Sequence, residues 1–486
     1  MDDPLTLTIN FSRPLVAGGA ALLALMFLSW LVYLTLPEAK GEQGPLHKLR
    51  AALGMERLPH ALILSILALY TALAGILILG LFGLIVDTLR AVGGSNDYLF
   101  YVLRIGGLTA VLGAVIALPL TVIRLRLTQD QTETARESLF NDKINEATKG
   151  LYARRQVTVG EGAEAKDHWQ DDIVQRCAAI DRLEGLAHEK PSEVPRIARL
   201  LSVYVRELSV EEPPKDPPKN ATPDELRKWA SDLPKLRSDM EKAAQILGGL
   251  AAIPHSPLQN EEIDLSGANL QNANLNKSLF ENVCFSRAKL QGANLQEAKL
   301  QGANFTKAHL QGANFSNGQL GGTIFSEAGL QATVFIKSEL QNACFENAQM
   351  HGVRMTGANL QNADLIDAQM RGATFLASSL SGACLMGARL QGASYLGTEF
   401  DSSTQILFTD FSAACFEGID LTSMTKLDPQ IDEFFGDASS TPPNGARPGD
   451  TNWPAHWSKE HLEILQFRKA WRAWQATLRL DWDQPD

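Results

Sequence analysis

From Leu265 to Phe400, every fifth residue of this 486-residue chain is Leu, Phe, Met or Tyr. The series holds 28 positions without a polar exception. Two residues before each centre stands a small side chain: 18 are Ala and seven are Gly, Ser or Thr, with Ile263, Val283 and Val353 as departures. One extra residue after Phe400 shifts the frame, which resumes at Ile406, Phe411, Phe416 and Leu421. Neither regular element has a period of five. On an α-helix the centres would spread around the axis, and on a strand an odd period puts successive residues on opposite faces. A chain that turns a corner every five residues keeps all of them pointing inward. Repetition at short period is the mark of a solenoid.

The motif, Ala-Asn-Leu or Ala-Asn-Phe plus two residues, as in SGANLQNANL and QGANFTKAHLQGANF, resembles the pentapeptide-repeat family. That resemblance implies a right-handed quadrilateral β-helix with four pentapeptides per coil. The 28 repeats then make seven coils and a rod of roughly 34 Å at the usual strand spacing. Residues 20 apart are expected to stack. Phe285, Phe305, Phe325 and Phe345 would form an aromatic ladder inside one face, and Phe315, Phe335, Met355, Phe375 and Tyr395 would line the opposite one. On the outside, Gln271, Gln291, Gln311 and Gln331 are expected to form an amide ladder. Asn272, Gly292, Gly302, Gly312, Gly322 and Asn342 suit corners that need positive φ. Cys284, Cys344 and Cys384 share one column, with gaps of about 14 and 10 Å that are too long for a disulfide. They read as small outward residues. Five cysteines in the whole chain exclude a disulfide scaffold and fit a reducing compartment.

The N-terminal part is of another kind. Residues 14–36 and 61–86 carry no charge, and residues 98–123 carry only Arg104. Each stretch exceeds the roughly 20 apolar residues that cross a bilayer as a helix. The alternative is three buried core helices within 125 residues. The first stretch is a poor cleavable signal, because it is too long, follows Asp2 and Asp3, and lacks a small-x-small site. Lys and Arg favour the cytoplasmic side of short loops. The tail before the first span has Arg13 alone, loop 37–60 has four basic residues, and loop 87–97 has Arg90. After the third span come Arg124, Arg126, Arg136, Lys143 and Lys149. This alternation predicts a multi-pass protein, N-terminus outside, with everything after residue 124 in the cytoplasm. Arg104 reads either as a snorkelling anchor or as a pore or relay residue. Ala68 and Ala72, Gly106 and Ala110, and Gly113 and Ala117 permit close helix packing, within one chain or in a homo-oligomer.

Residues 128–260 read as a helical connector. Mixed charge from Thr128 to Gly150 predicts an exposed helix that continues the third span. Ile173, Cys177, Ile180, Leu183 and Leu186, then Val194 to Leu208, predict two amphipathic helices separated near Pro191. Cys177, on the apolar face, reads as a small core residue. Residues 211–225 form a Pro-rich linker. Thr222, Pro223, Asp224 and Glu225 start a further helix, running to about Leu250 with a break near Pro234. After the repeats at 261–425, residues 426–486 carry Phe467, Trp471, Trp474 and Leu478 on one helical stripe. This piece reads as a cap over the open coil, or else as a Trp-bearing surface for a partner. The similarity to bacterial membrane-anchored pentapeptide-repeat proteins extends to FNDKINEATKGL, AAIDRLEGLAHEKPSEVPRIARLLSVYVREL, RSDMEKAAQILGG and the FGDAS…PAHW tail. That resemblance implies that the membrane is a bacterial inner membrane.

No catalytic constellation stands out: no Gly-rich phosphate loop, no nucleophile elbow and no metal-ligand spacing. Catalytic, cofactor-binding and metal residues are therefore each expected to be none. His456 and His461 near Asp437 are a remote candidate. Net charge is −11, and residues 261–425 are net −6. No basic excess supports nucleic-acid binding. The primary expectation is a non-enzymatic, membrane-tethered scaffold that offers the β-helix to an unknown cytoplasmic protein. The alternatives are an oligomeric membrane effector or channel and a DNA-mimicking topoisomerase inhibitor, the latter opposed by sparse acidic charge.

Overall fold

The computed structural model describes residues 60–90, 98–159, 166–258 and 263–478. The chain divides into two compact units between Asp142 and Lys143. The expected span at 14–36, with Arg13 and the basic loop after it, lies outside the described residues.

The first unit holds helix α1, His60–Arg90, and most of α2, Tyr98–Leu151. Both are long and apolar enough to cross a membrane, and no described residue of their apolar windows is buried. Tyr70 joins them by donating its hydroxyl to the carbonyl of Val115. The Arg104 guanidinium lies over the Phe100 ring, 4.3 Å from its centroid. α2 continues unbroken through the charged stretch as far as Leu151.

The second unit opens with an antiparallel hairpin, β1 (Arg154–Val159) and β2 (Lys166–Asp171). This corrects the expectation of an all-helical connector. The segment RRQVTV has no helical stripe, and its Val-Thr-Val run favours a strand. Helices α3 (Ile173–Glu189) and α4 (Val194–Glu211) follow, separated by a 3-10 turn at Pro191–Glu193. α5 spans Pro223–Ser231. Its start is fixed by a capping box in which Thr222 and Glu225 exchange side-chain to backbone bonds. α6, Ser238–Leu250, lies beyond the break around Pro234. Ile180, Leu183, Ile197, Leu201, Val205 and Leu247 fill the core among these helices.

An ionic knot ties the helices to the hairpin. Asp239 is fully buried on α6 and accepts a two-bonded fork from Arg237, both bonds 2.8 Å, and the Tyr204 hydroxyl at 2.7 Å. Arg237 also reaches Asp171 at 3.0 Å, and Arg176 reaches Asp171 at 2.5 Å. Burial alone would raise the Asp239 carboxyl. The bonds from Arg237 and Tyr204 overcome it and hold the group below the usual carboxylate range.

The repeats form a four-sided coil. Bridges such as Asp264↔Cys284, Asn269↔Lys289, Asn274↔Asn294 and Leu279↔Lys299 pair residues 20 apart in parallel, one per side. All centres from Leu265 to Tyr395 are fully buried. Phe285, Phe305, Phe325 and Phe345 stack at 4.8–5.1 Å and within 11° of parallel. Phe315 and Phe335 stack on the other wall, and the two ladders meet edge to face at 5.7–6.0 Å. These are the geometries that ring quadrupoles favour. Phe400 is the exception, being only half-buried. The extra residue enters just after it. Asp401 holds the enlarged corner by accepting the backbone N–H groups of Ser403 and Thr404, and pairing then steps by 21 (Cys384↔Gln405). Three short parallel strands, β3 (Ser394–Leu396), β4 (Cys415–Glu417) and β5 (Phe435–Gly436), close the coil, and α7 (Ile464–Thr477) packs beside them.

Candidate interaction surfaces of the repeat domain

A solenoid has two open ends and four sides, so its function turns on which of these remain free. The first coil has backbone N–H groups with no preceding coil to accept them. The helical segment supplies the acceptors: Asn269 N–H donates to Ser209 Oγ (2.8 Å), Asn274 N–H to Glu241 (2.8 Å) and Leu279 N–H to the Gly248 carbonyl (2.7 Å). α4 and α6 thus cap the N-terminal end, which removes a template for strand pairing. Sequence reasoning read this segment as a connector and missed the capping role.

One side is covered as well. The Pro-rich stretch 211–222 lies on the solenoid as a strap. Gln271 accepts from the Lys215 N–H (2.9 Å) and donates to its carbonyl (2.7 Å), and Asn269 donates to the Glu212 carbonyl (2.7 Å). α5 then presses on the corners. A Cβ added at Gly292 would lie 2.6 Å from the Ala230 carbonyl oxygen, and one at Gly352 would lie 2.4 Å from Pro223. Gln271, Gln291 and Gln311 keep their expected place outside the coil but are consequently buried under the covering segment rather than exposed. The amide ladder is corrected too. Only the rung from Gln271 to Gln291 forms (3.1 Å), while Gln331 turns to Gln349 (2.6 Å). The strap's main chain bonds the first of these amides, that of Gln271. Burial, and for His309 the neighbouring Lys289, push both bases below their usual ranges, and strap residue Asp216 opposes this.

The C-terminal end is closed by aromatic side chains. Trp471 and Gln475 both donate to the Ala413 carbonyl, and Trp457 donates to that of Phe434. Phe467 packs with Phe435 and Cys415. Burial pushes the Cys415 thiol up to about 12, which makes it unreactive. The candidate histidines serve this packing. His456 bonds the Phe434 carbonyl (2.7 Å) and stacks on Trp474, while His461 stands 3.8 Å from the buried Asp437 carboxylate. Asp437 spends its oxygens on Ser439 and on the Leu462 N–H. Among the described residues no cluster of three His, Cys, Asp or Glu could hold a metal. Cys177 is half-buried, and burial and then Asp239 raise its thiol.

The cysteine column stays open. From Cys284 through Asn304, Ile324, Cys344, Asp364 and Cys384 to Gln405, every residue keeps solvent exposure. At the corner that follows, Leu407 and Phe408 protrude, Phe408 being 82% exposed with φ +60°. An L-residue adopts that conformation at a cost.

A family model for pentapeptide repeats matches residues 261–296, 288–327 and 354–392, in eight copies. These stretches of the solenoid are pentapeptide repeats. The family implies a right-handed coil. The chain is similar to the solved structure of a trypsin-treated variant of QnrB1, a plasmid-mediated fluoroquinolone resistance protein, at 21% identity over 32% of this chain and 77% of that one, with a TM-score of 0.30. It is also similar to HetL, a pentapeptide-repeat protein involved in heterocyst differentiation regulation in Nostoc (24% identity, 32% and 83% covered, TM-score 0.18). A third likeness is to a pentapeptide-repeat protein of the Arabidopsis thaliana thylakoid lumen (30% identity, 24% and 75% covered, TM-score 0.16). No curated protein matches.

Proposed function

We propose that the chain is a non-enzymatic scaffold, tethered in a bacterial inner membrane, which offers the open side of its pentapeptide-repeat domain to a cytoplasmic protein. The observation that carries this is the division of the surface. Both ends and one side are closed by the chain itself, while the cysteine column, like the column from Leu279 to Glu399, stays open, and it alone ends at the protruding Leu407 and Phe408. Such a rigid platform loses little entropy on binding. The exposed apolar helices α1 and α2 support the tether, and the basic residues after residue 124 support a cytoplasmic platform.

The test compares the full chain with a Phe408→Asp, Ile324→Asp double variant in native membranes, using crosslinking and identification of the crosslinked protein. A partner captured by the wild type and lost with the variant is expected. Equal capture by both would sink the open-side reading.

A second reading, an oligomeric membrane effector, draws on a specific feature of α1 and α2. Gly75, Gly83, Gly106, Gly107 and Gly113 each face open space, which leaves room for another helix to approach. Leakage on overexpression that Arg104→Ala abolishes would favour it. DNA mimicry is disfavoured by the net charge of −6 over residues 261–425.

A further inference from the structure

A groove of about 840 Å³ opens between the strap, α5, the solenoid corners at Gly352 and Gly372, and α7. Three separate elements send arginines to it: Arg227 from α5, Arg354 and Arg371 from the solenoid, and Arg468 and Arg472 from α7. A single carboxylate lines it, that of Asp224, which is paired with Arg227. This convergence runs against composition. The chain is net −11, and the repeats at 261–425 hold only four arginines, two of which are here.

The arginines are held, and part of their charge is unspent. Arg227 donates to the Gly352 carbonyl (2.7 Å), and Arg371 donates to Gln391 (3.3 Å). Burial and then the like charge of Arg354 hold the Arg227 guanidinium below its usual range. Arg354 and Arg472 make no side-chain hydrogen bond or ion pair among the described residues. Burial and then Asp437 raise the Glu417 carboxyl, and Arg468 opposes them. Guanidinium forks match phosphate oxygens, and several of them converge where planar, multi-point anion recognition is needed. The volume falls within the range of small-molecule sites, and a lone phosphate would leave most of it empty. Pro217, Pro218, Pro223 and Trp471 give the wall an apolar part that the rest of a ligand can meet.

We propose that this groove binds a small organic polyphosphate of the size and charge of a nucleoside di- or triphosphate. The same clustered phosphate oxygens occur on an anionic lipid headgroup, and the experiment separates the two sources. The full chain in phosphatidylcholine nanodiscs is titrated with ATP and with pyrophosphate by calorimetry at matched ionic strength. Saturable binding near one per chain is expected. Arg354→Gln and Arg468→Gln should each weaken it about tenfold, the worth of one charge-assisted bond. Arg287→Gln, on a solenoid corner outside the groove, should not. In a second arm, nanodiscs carry cardiolipin and no nucleotide, and unfolding is followed by Trp fluorescence. A rise in the midpoint that Arg354→Gln removes would assign the phosphates to lipid. Absence of any Arg354-dependent effect in both arms would overturn the proposal, as would ATP binding of equal strength in wild type and Arg354→Gln.

Discussion

The helical cap at 143–258 and the solenoid at 263–425 reach the same buried state by opposite means. In the solenoid each side chain meets copies of itself one coil away, as with Phe285, Phe305, Phe325 and Phe345. In the cap, one carboxylate, Asp239, serves Arg237, Tyr204 and the Met240 N–H together. The difference is one of redundancy. A ladder spreads its stabilisation over many equivalent contacts, whereas a knot concentrates it in a few that have no substitute.

The largest expected effect tests the ladder. Phe325→Ala removes a fully buried ring stacked on both sides, and should destabilise by about 4 kcal/mol. Chemical denaturation of the full chain in detergent measures it. A loss under about 1 kcal/mol would mean that the ladder relaxes around the gap.

Asp239→Ala tests the knot and should cost about 3 kcal/mol, because Arg237 loses its buried partner. The Asp239 carboxyl is held below its unfolded value. Its contribution is therefore present above about pH 4 and is lost as pH falls through the lower, folded value. Asp239→Asn should flatten that acid limb of the stability curve. An unchanged acid limb would show that the knot is not what titrates.

Next comes the joint between the two regions. Gly292→Ala and Gly322→Ala impose the same positive φ, but only at Gly292 does the new methyl meet backbone, at Ala230. Gly322→Ala should cost about 1 kcal/mol. Gly292→Ala should cost more and expose residues 211–222 to protease. Equal cutting in the two variants would mean that the strap does not depend on α5. The smallest effect is a gain. Exposed Ala377 has φ +52°, so Ala377→Gly should stabilise by about 0.5 kcal/mol in the same denaturation assay.

Legibility follows the same division. The frame, the two Phe ladders and the shift after Phe400 are readable in the sequence because every centre has the same inward duty. The capping box at Thr222 is readable for a similar reason, since its partners lie three residues apart. The burial of Gln271 is not readable. Its partner Lys215 lies 56 residues away, and nothing in a Pro-rich stretch distinguishes a docked strap from a loose linker. The hairpin β1–β2 escaped because its two strands are short, polar and outside the repeat. The groove arginines, spread from Arg227 to Arg472, carry no local signature at all.

By itself, then, the sequence determined the solenoid and its register. Period five admits one way of keeping large apolar residues inside, and coil-to-coil contacts repeat a fixed 20 residues apart. Tertiary structure alone decided which ends and sides of that solenoid are free. That outcome depends on unique hydrogen bonds and steric fits between distant segments, such as Leu279 to Gly248 and Gly352 to Pro223, which no periodicity encodes.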